Sequence, residues 1–281
     1  MNNKEIREIF KNNLKVKAIS IKDISKGVDQ KVKIVSTDKG KFIFKFPKRQ
    51  VFNFREFFAC KKLIGKIPVP KIILKRRSFI IESFLEGTDL DEVKLSGRED
   101  KIIYSQLGLF LKKIHTIKMK GFGDVGFNGK GEFKTLREAV SPEIRNYLKR
   151  IKTSKLFSKE EVDKLENYLR KKDHLLDSKQ SVLLHIDYEE SNIKVKNGKV
   201  SGILDFGDLA SGPKALDFAR PFVSYYKNKK FDYFVKGYGK INLKEVEFYG
   251  VLFLLWKILY PHPRNQKGMK KRLRNLGEIL N

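Results

Sequence analysis

His185-Ile186-Asp187-Tyr188-Glu189-Glu190-Ser191-Asn192, a stretch from Ile193 to Leu204 that turns at Asn197-Gly198, and then Asp205-Phe206-Gly207-Asp208 decide the reading of this chain. Ile193 and Val195 lead into Asn-Gly, the strongest short hairpin signal, and Val200 to Leu204 leads out. A two-residue turn there sets Asn192 opposite Ile203, with Asp205 two residues further along the partner strand. Diagonal neighbours in such a ladder lie about 7–8 Å apart, near enough for both side chains to hold one cation. Asn192 and Asp205 offer the hard oxygens that Mg²⁺ prefers, and two protein ligands suffice where phosphates and water complete the octahedron. Asp187, five residues before Asn192, suits a base or a group that orients a hydroxyl.

A phosphate site also needs a cation. Lys31 to Val35 alternates polar with apolar, Thr37-Asp38-Lys39-Gly40 reads as a turn, and Phe42, Phe44 and Phe46 share one strand face. Lys45 therefore points to the opposite face, and Glu56 follows on a helix predicted from about Asn53 to Ile64. A strand lysine paired with a glutamate on the next helix is how kinase-type sites present an ammonium to nucleotide phosphates. Pro68-Val69-Pro70 then breaks the chain before two short strands, Lys71 to Leu74 and Phe79 to Ile81.

From Gly87 onward helical patterns dominate. Ser96 with Glu99, Ser158 with Glu161, and Asn242 with Glu245 have capping-box spacing, and Ser141-Pro142 places proline at a helix start. Trp256, with Phe253 and Val246 at helical spacing, reads as core. Asp217, after Gly212-Pro213, reads as a helix cap that supports the loop. His185 reads as a hydrogen-bonding residue that fixes the loop, whereas His115, His174 and His262 have no spaced partners.

The 281 residues include 61 Lys and Arg against 33 Asp and Glu, a formal net charge of +28. The first 80 residues hold 22 of those bases and 6 of the acids. Such an excess suggests either a polyanionic partner or a lysine-rich compositional habit. With 41% hydrophobic residues the chain is globular rather than disordered. Cys60 is the single cysteine, so no intrachain disulfide and no all-cysteine metal site is expected. No apolar stretch is long enough for a membrane span and the N-terminus lacks the apolar core of a signal peptide, so a cytoplasmic protein is expected.

The segment from Leu184 to Phe222 resembles the catalytic segment of the aminoglycoside phosphotransferase family, relatives of protein kinases and choline kinases. Its residues are His185, Asp187 and Asn192, Leu204 to Asp208, Gly212-Pro213, and Asp217-Phe218-Ala219. Gly27 falls where that family's phosphate-covering hairpin turns. Phe44 to Lys48 resembles its lysine strand, and Arg55-Glu56-Phe57 its helix. Ile81-Glu82-Ser83-Phe84-Leu85-Glu86-Gly87 resembles its hinge, whose backbone groups hold the purine, and Leu111 to His115 resembles its Leu-His helix end. The resemblance implies an α+β, two-lobed, protein-kinase-like fold, with a β-rich nucleotide-binding lobe at 1–84 and a mainly helical catalytic and substrate-binding lobe at 85–281. By the same implication Asp187 accepts or orients the acceptor hydroxyl, Asn192 and Asp205 hold Mg²⁺, and Lys45 with Glu56 positions ATP or GTP, alongside Gly27, Glu82 and Phe84. Position 186, Gly in many relatives, is Ile here. Glu189 and Glu190 face the substrate side, and Asp208 either contacts substrate or metal or supports those that do.

The activity so implied is transfer of the γ-phosphoryl group to a hydroxyl of a small molecule, an aminoglycoside or similar amino-alcohol first. The +28 charge repels a polycation at long range, but screening limits that range to about 8 Å, and Asp187, Glu189, Glu190, Asp205 and Asp208 make the site itself acidic. A kinase of another metabolite (a sugar, a choline-like alcohol, homoserine or a macrolide) is the alternative, followed by a catalytically idle, RNA-associated pseudokinase. Six Lys and Arg against one Glu from His262 to Asn281 allow a nucleic-acid contact, yet no zinc spacing, aromatic–basic RNA motif or P-loop supports a dedicated nucleic-acid reader.

Overall fold

In the computed structural model, which describes residues 1–24, 30–261 and 268–280, the backbone falls into two compact units. Residues 1–93 and 190–208 form one, and 94–189 with 209–281 form the other.

The first unit begins with α1 (Asn3–Ile9), capped by the Asn2–Glu5 box and extended by a π turn, Phe10–Leu14. Strands β1 (Ala18–Asp23), β2 (Gln30–Thr37) and β3 (Gly40–Pro47) follow, then α2 (Gln50–Leu63), β4 (Ile72–Lys75) and β5 (Ile80–Ser83). The antiparallel sheet has the order β1-β2-β3-β5-β4. Period-two alternation in β3 sorts its side chains. Phe44 is fully buried, stacks on Phe79 at 4.8 Å and meets Phe10 at 6.1 Å, in a cluster with Ile6, Val35 and Ile81. Lys45 takes the opposite face, where α2 supplies its partner.

After β6 (Thr88–Asp89) the chain enters the second unit through α3 (Gly97–Ile114), capped by the expected Ser96–Glu99 box. β7 (Phe122–Val125), β8 (Gly131–Phe133), α4 (Leu136–Thr153), α5 (Lys159–Lys171) and β9 (Val182–Leu184) come next. α4 starts at a Thr135–Glu138 box, so Pro142 lies inside the helix rather than at its start, as the sequence suggested. Of the other expected boxes, Ser158–Glu161 forms, whereas Asn242 caps through Lys244 N–H alone.

The chain returns to the first unit as the hairpin β10 (Ile193–Lys196) and β11 (Lys199–Ile203), and β10 also pairs with β6. This pairing places β6 in the first unit, which runs to Val93. β12 (Ala210–Gly212), α6 (Ala219–Ser224), α7 (Lys229–Tyr238), α8 (Leu243–Leu259) and α9 (Met269–Leu280) complete the second unit, with β12 set between β7 and β9. Among the described residues no helix is long and apolar enough to cross a membrane.

α3 and α7 approach closely because glycines face each other's backbones. A Cβ on Gly108 would sit 2.0 Å from the Phe234 carbonyl oxygen, and one on Gly237 the same distance from that of Ser105. This contact sets Tyr238, at the end of α7, against His115, at the end of α3. Gly237→Ala is expected to lower stability by about 3 kcal/mol or more through overpacking, read as a shift of the denaturant midpoint at unchanged slope; an unchanged midpoint would show that the helices can separate freely.

Candidate active site

In the first unit a buried carboxylate ties three segments together. Glu56 is 1% exposed. Its Oε1 accepts from Lys45 Nζ at 3.0 Å, and its Oε2 accepts the backbone N–H of Phe206 at 2.8 Å. The strand-helix pair expected from sequence is thereby formed, and the Asp205-Phe206-Gly207 stretch is fastened to the same group. Arg55, the neighbour of Glu56, donates to the Gly207 carbonyl at 3.3 Å. Asp205 sits at φ 60°, a left-handed conformation that aspartate tolerates, and its Oδ1 accepts from Gly207 N–H at 3.3 Å and Gln30 Nε2 at 3.4 Å.

The hairpin differs from the two-residue register. A bulge between Lys194 and Val195 pairs Val195 with Val200 but Lys194 with Gly202, which leaves Ser201 as the extra residue. Its hydroxyl donates to the Glu86 carbonyl at 2.7 Å. Ile203 consequently faces Ile193, and Leu204 N–H donates to the Asn192 carbonyl at 2.9 Å, so Asn192 does not oppose Ile203. The slip brings Asn192 one position nearer Asp205 along the ladder. The donor set, one amide and one carboxylate oxygen on neighbouring positions of the ladder, fits a hard divalent cation that takes its remaining ligands from phosphates and water. Among the described residues no group of three or more His, Cys, Asp or Glu is arranged to hold a metal.

Glu82 lies inside the sheet, paired with Ile43 on β3 and Ile72 on β4. It presents its side chain to the site: Oε2 is 3.1 Å from Lys45 Nζ. Phe84 follows the last paired residue of β5 and lies half-buried with the Lys41 ammonium 5.3 Å from its ring centre. Burial alone would push the Lys45 ammonium down, but Glu56, Glu82 and Asp205 together hold it well above the ordinary lysine value. Gly27 lies at 25–29, outside the described residues.

In the second unit the loop that carries Asp187 hangs on Asp217. Asp217 is 2% exposed. Its Oδ2 accepts His185 N–H at 2.8 Å and lies 3.0 Å from His115 Nε2, while its Oδ1 accepts Ile186 N–H at 2.6 Å. His115 Nδ1 is in turn 2.9 Å from the Tyr238 hydroxyl. Asp217 thus supports the loop as expected, but by holding backbone amides rather than by capping a helix, and His115 is part of that support. Ile186 stands at φ 68°, a region that costs a β-branched side chain on the order of 1–3 kcal/mol, which is why glycine suits the position. His185 is fully buried edge-on to Tyr188, whose hydroxyl donates to the Leu107 carbonyl at 3.0 Å.

Sequence reasoning missed Arg220. Its guanidinium lies 2.5 Å from Asp187 Oδ1, also pairs with Glu189, and sits over the Phe253 ring at 5.2 Å. Burial, with Arg220 beside it, lowers the Lys257 ammonium. Trp256, expected in the core, is 41% exposed on α8, where it stacks on Phe253 at 5.7 Å. Glu190 is half-buried and opens the short turn that ends at Asn192, and Asp208 is exposed.

A strand lysine held by a helix glutamate, fastened to an Asp-Phe-Gly hairpin, together with an aspartate loop hung from a buried carboxylate, defines a kinase-like phosphotransferase. The description of the phosphotransferase enzyme family (APH) matches residues 20–243, and the chain belongs to that family. It is an enzyme that transfers phosphoryl groups to hydroxyls. Among solved structures it resembles aminoglycoside phosphotransferase APH(4)-Ia at 13% identity over 99% of this chain and 98% of that one, TM-score 0.76. It also resembles ADP-bound APH(2'')-Ib, at 18% identity over 100% and 97% and TM-score 0.68, and the streptomycin-ATP complex of APH(2'')-IIa, at 19% over 100% and 99% and TM-score 0.68. The fold expected from sequence, a β-rich first part and a helical second, is that of these proteins. Comparison with curated protein sequences gave no match.

Asp217→Ala strips two buried amides and His115 of their acceptor. It is expected to cost at least about 3 kcal/mol in chemical denaturation, since each orphaned buried donor costs about 1–3. A loss within 1 kcal/mol would mean that the loop holds itself.

Proposed function

We propose that the enzyme transfers the γ-phosphoryl group of ATP or GTP to a hydroxyl of a small molecule, an aminoglycoside or similar amine-bearing alcohol. The observation that carries this reading is the double engagement of Glu56, which sets the phosphate-binding ammonium and the Asp205 stretch on one frame. The acceptor class rests on the solved neighbours, which include APH(4)-Ia with AMP-PNP and hygromycin B and APH(2'')-IIa with gentamicin. In functional terms residues 1–84 bind nucleotide and 85–281 supply the catalytic and acceptor-binding groups.

Each residue then has a role. Lys45, oriented by Glu56, receives the nucleotide phosphates, Glu82 and Phe84, at the end of β5 and just beyond it, border the purine, and Gly27 contributes to the phosphate side. Asn192 and Asp205 would hold Mg²⁺, which neutralises phosphate charge when bound. Asp187 accepts a hydrogen bond from the acceptor hydroxyl and aims its oxygen, and alignment of this kind accounts for much of phosphoryl-transfer catalysis. Arg220 holds the Asp187 carboxylate in place, and Glu189, Glu190 and Asp208 meet the acceptor.

A second reading, a kinase of another hydroxylated metabolite, is favoured by Arg220. By pairing with Asp187 and Glu189, with Lys257 nearby, it removes much of the negative charge that a polycationic acceptor would seek. Measuring nucleotide consumption with ATP or GTP and Mg²⁺ against aminoglycosides, sugars, choline-like alcohols, homoserine and macrolides separates the two. Turnover that needs an amine-bearing acceptor supports the first reading, and turnover on a neutral or anionic one the second. Salt-dependent RNA binding that survives Asp205→Ala, with no turnover on any acceptor, would replace both by an idle binder. Asp187→Ala is expected to reduce acceptor-dependent turnover by about 10²–10⁴-fold, with the nucleotide dissociation constant within about twofold of wild type; retained turnover would remove Asp187 from its role. Chelation of divalent ions is expected to abolish turnover, and Mg²⁺ to restore it.

A further inference from the structure

Lys45 is shared between two carboxyl groups where one suffices for orientation. Its Nζ lies 3.0 Å from Glu56 Oε1 and 3.1 Å from Glu82 Oε2, and Lys45, Glu56 and Glu82 are 7%, 1% and 1% exposed. The two acids are not equivalent. Glu56 has both oxygens engaged, the second by Phe206 N–H. Glu82 Oε1 is buried and meets no hydrogen-bond partner among the described residues. An ionised carboxylate with one bare oxygen in such a place is costly, and a single ammonium offsets only one of two buried negative charges.

Among the described residues no other counter-charge acts on Glu82. β3 supplies Lys45 alone, α2 supplies Glu56 and the buried Cys60 thiol, and β4 sets Ile72 opposite. The hairpin adds Asp205, a further negative charge acting on Lys45. Burial therefore pushes the Glu82 carboxyl up to about 8, the nearby Lys45 opposing the rise and Glu56 adding to it. Burial also pushes the Cys60 thiol well above its ordinary value, so it stays neutral across the same range.

We propose that Glu82 is a positioning residue for nucleotide binding: its carboxyl group holds the Lys45 ammonium alongside Glu56, and it must be neutral for that ammonium to receive phosphate, so nucleotide binding takes up a proton. The proposal rests on the reading that Lys45 receives the phosphates. With Glu82 protonated, Lys45 and Glu56 cancel and the ammonium can turn to an incoming anion. With Glu82 ionised, the cluster is net negative and Lys45 is held by two carboxylates that compete with the phosphates. On binding above the Glu82 midpoint, one proton passes from solvent to the carboxylate, and nothing else is gained or lost.

The test is calorimetric titration of the full-length enzyme with ATP and Mg²⁺, without acceptor, at pH 7, 8 and 9 in buffers of differing ionisation enthalpy. ATP is fully ionised above pH 8, so it contributes no uptake there. Wild type is expected to bind roughly tenfold more weakly at pH 9 than at pH 7, because the competent fraction falls as Glu82 ionises, and to take up close to one proton per nucleotide at pH 9. Glu82→Gln keeps the shape and removes the charge; whatever its affinity at pH 7, that affinity should change by less than about twofold between pH 7 and pH 9, with no proton taken up. A flat wild-type profile, or the same proton uptake in Glu82→Gln, overturns the proposal, and the wild-type profile decides even if the variant does not fold. Wild type that binds no ATP at any pH overturns instead the reading of Lys45 on which the proposal stands.

Discussion

One buried carboxylate carries the first unit. Glu56 cannot lie at 1% exposure as an anion unless its oxygens are engaged, and the two groups that engage them come from β3 and from the Phe206 backbone, 150 residues away in sequence. Loss of the Lys45 ammonium leaves a buried charge uncompensated, at a cost of about 3–5 kcal/mol. The strand, the helix and the hairpin therefore keep one arrangement. The aromatic face of β3 follows from the same requirement, since strand alternation sends Phe44 to the core under α1 when it sends Lys45 to Glu56.

The second unit repeats the device with other parts. Asp217 gathers two loop amides and His115, and His115 reaches Tyr238 at the end of a helix that two glycines allow close to α3. In each unit a carboxylate on one element fixes the backbone of a segment that carries candidate site residues. The unfavourable conformation of Ile186 persists because its own N–H and that of His185 are both held by the Asp217 carboxylate.

Legibility in the sequence followed the distance between partners. The Phe42-Phe44-Phe46 alternation, the Asn197-Gly198 turn and the boxes at Ser96 and Ser158 are local signals, and each forms its element. The start of α4 was open to the same logic, since Thr135 and Glu138 have the box spacing that outweighs the proline signal at Pro142. Ser201 gave no sign of a bulge, because its reason is a carbonyl at Glu86, 115 residues earlier. His115 and Asp217 are 102 residues apart, and Arg220 meets Asp187 from α6, on a separate element with no local signal linking the two. Trp256 matched the helical spacing of a core residue but occupies the outer flank of α8, where Lys257 covers its ring.

That outer tryptophan is the single one in the chain. It is stacked on Phe253, beneath the Lys257 ammonium and one ring away from the Arg220 guanidinium. Two ring contacts thus connect the chain's single indole to the guanidinium that holds Asp187.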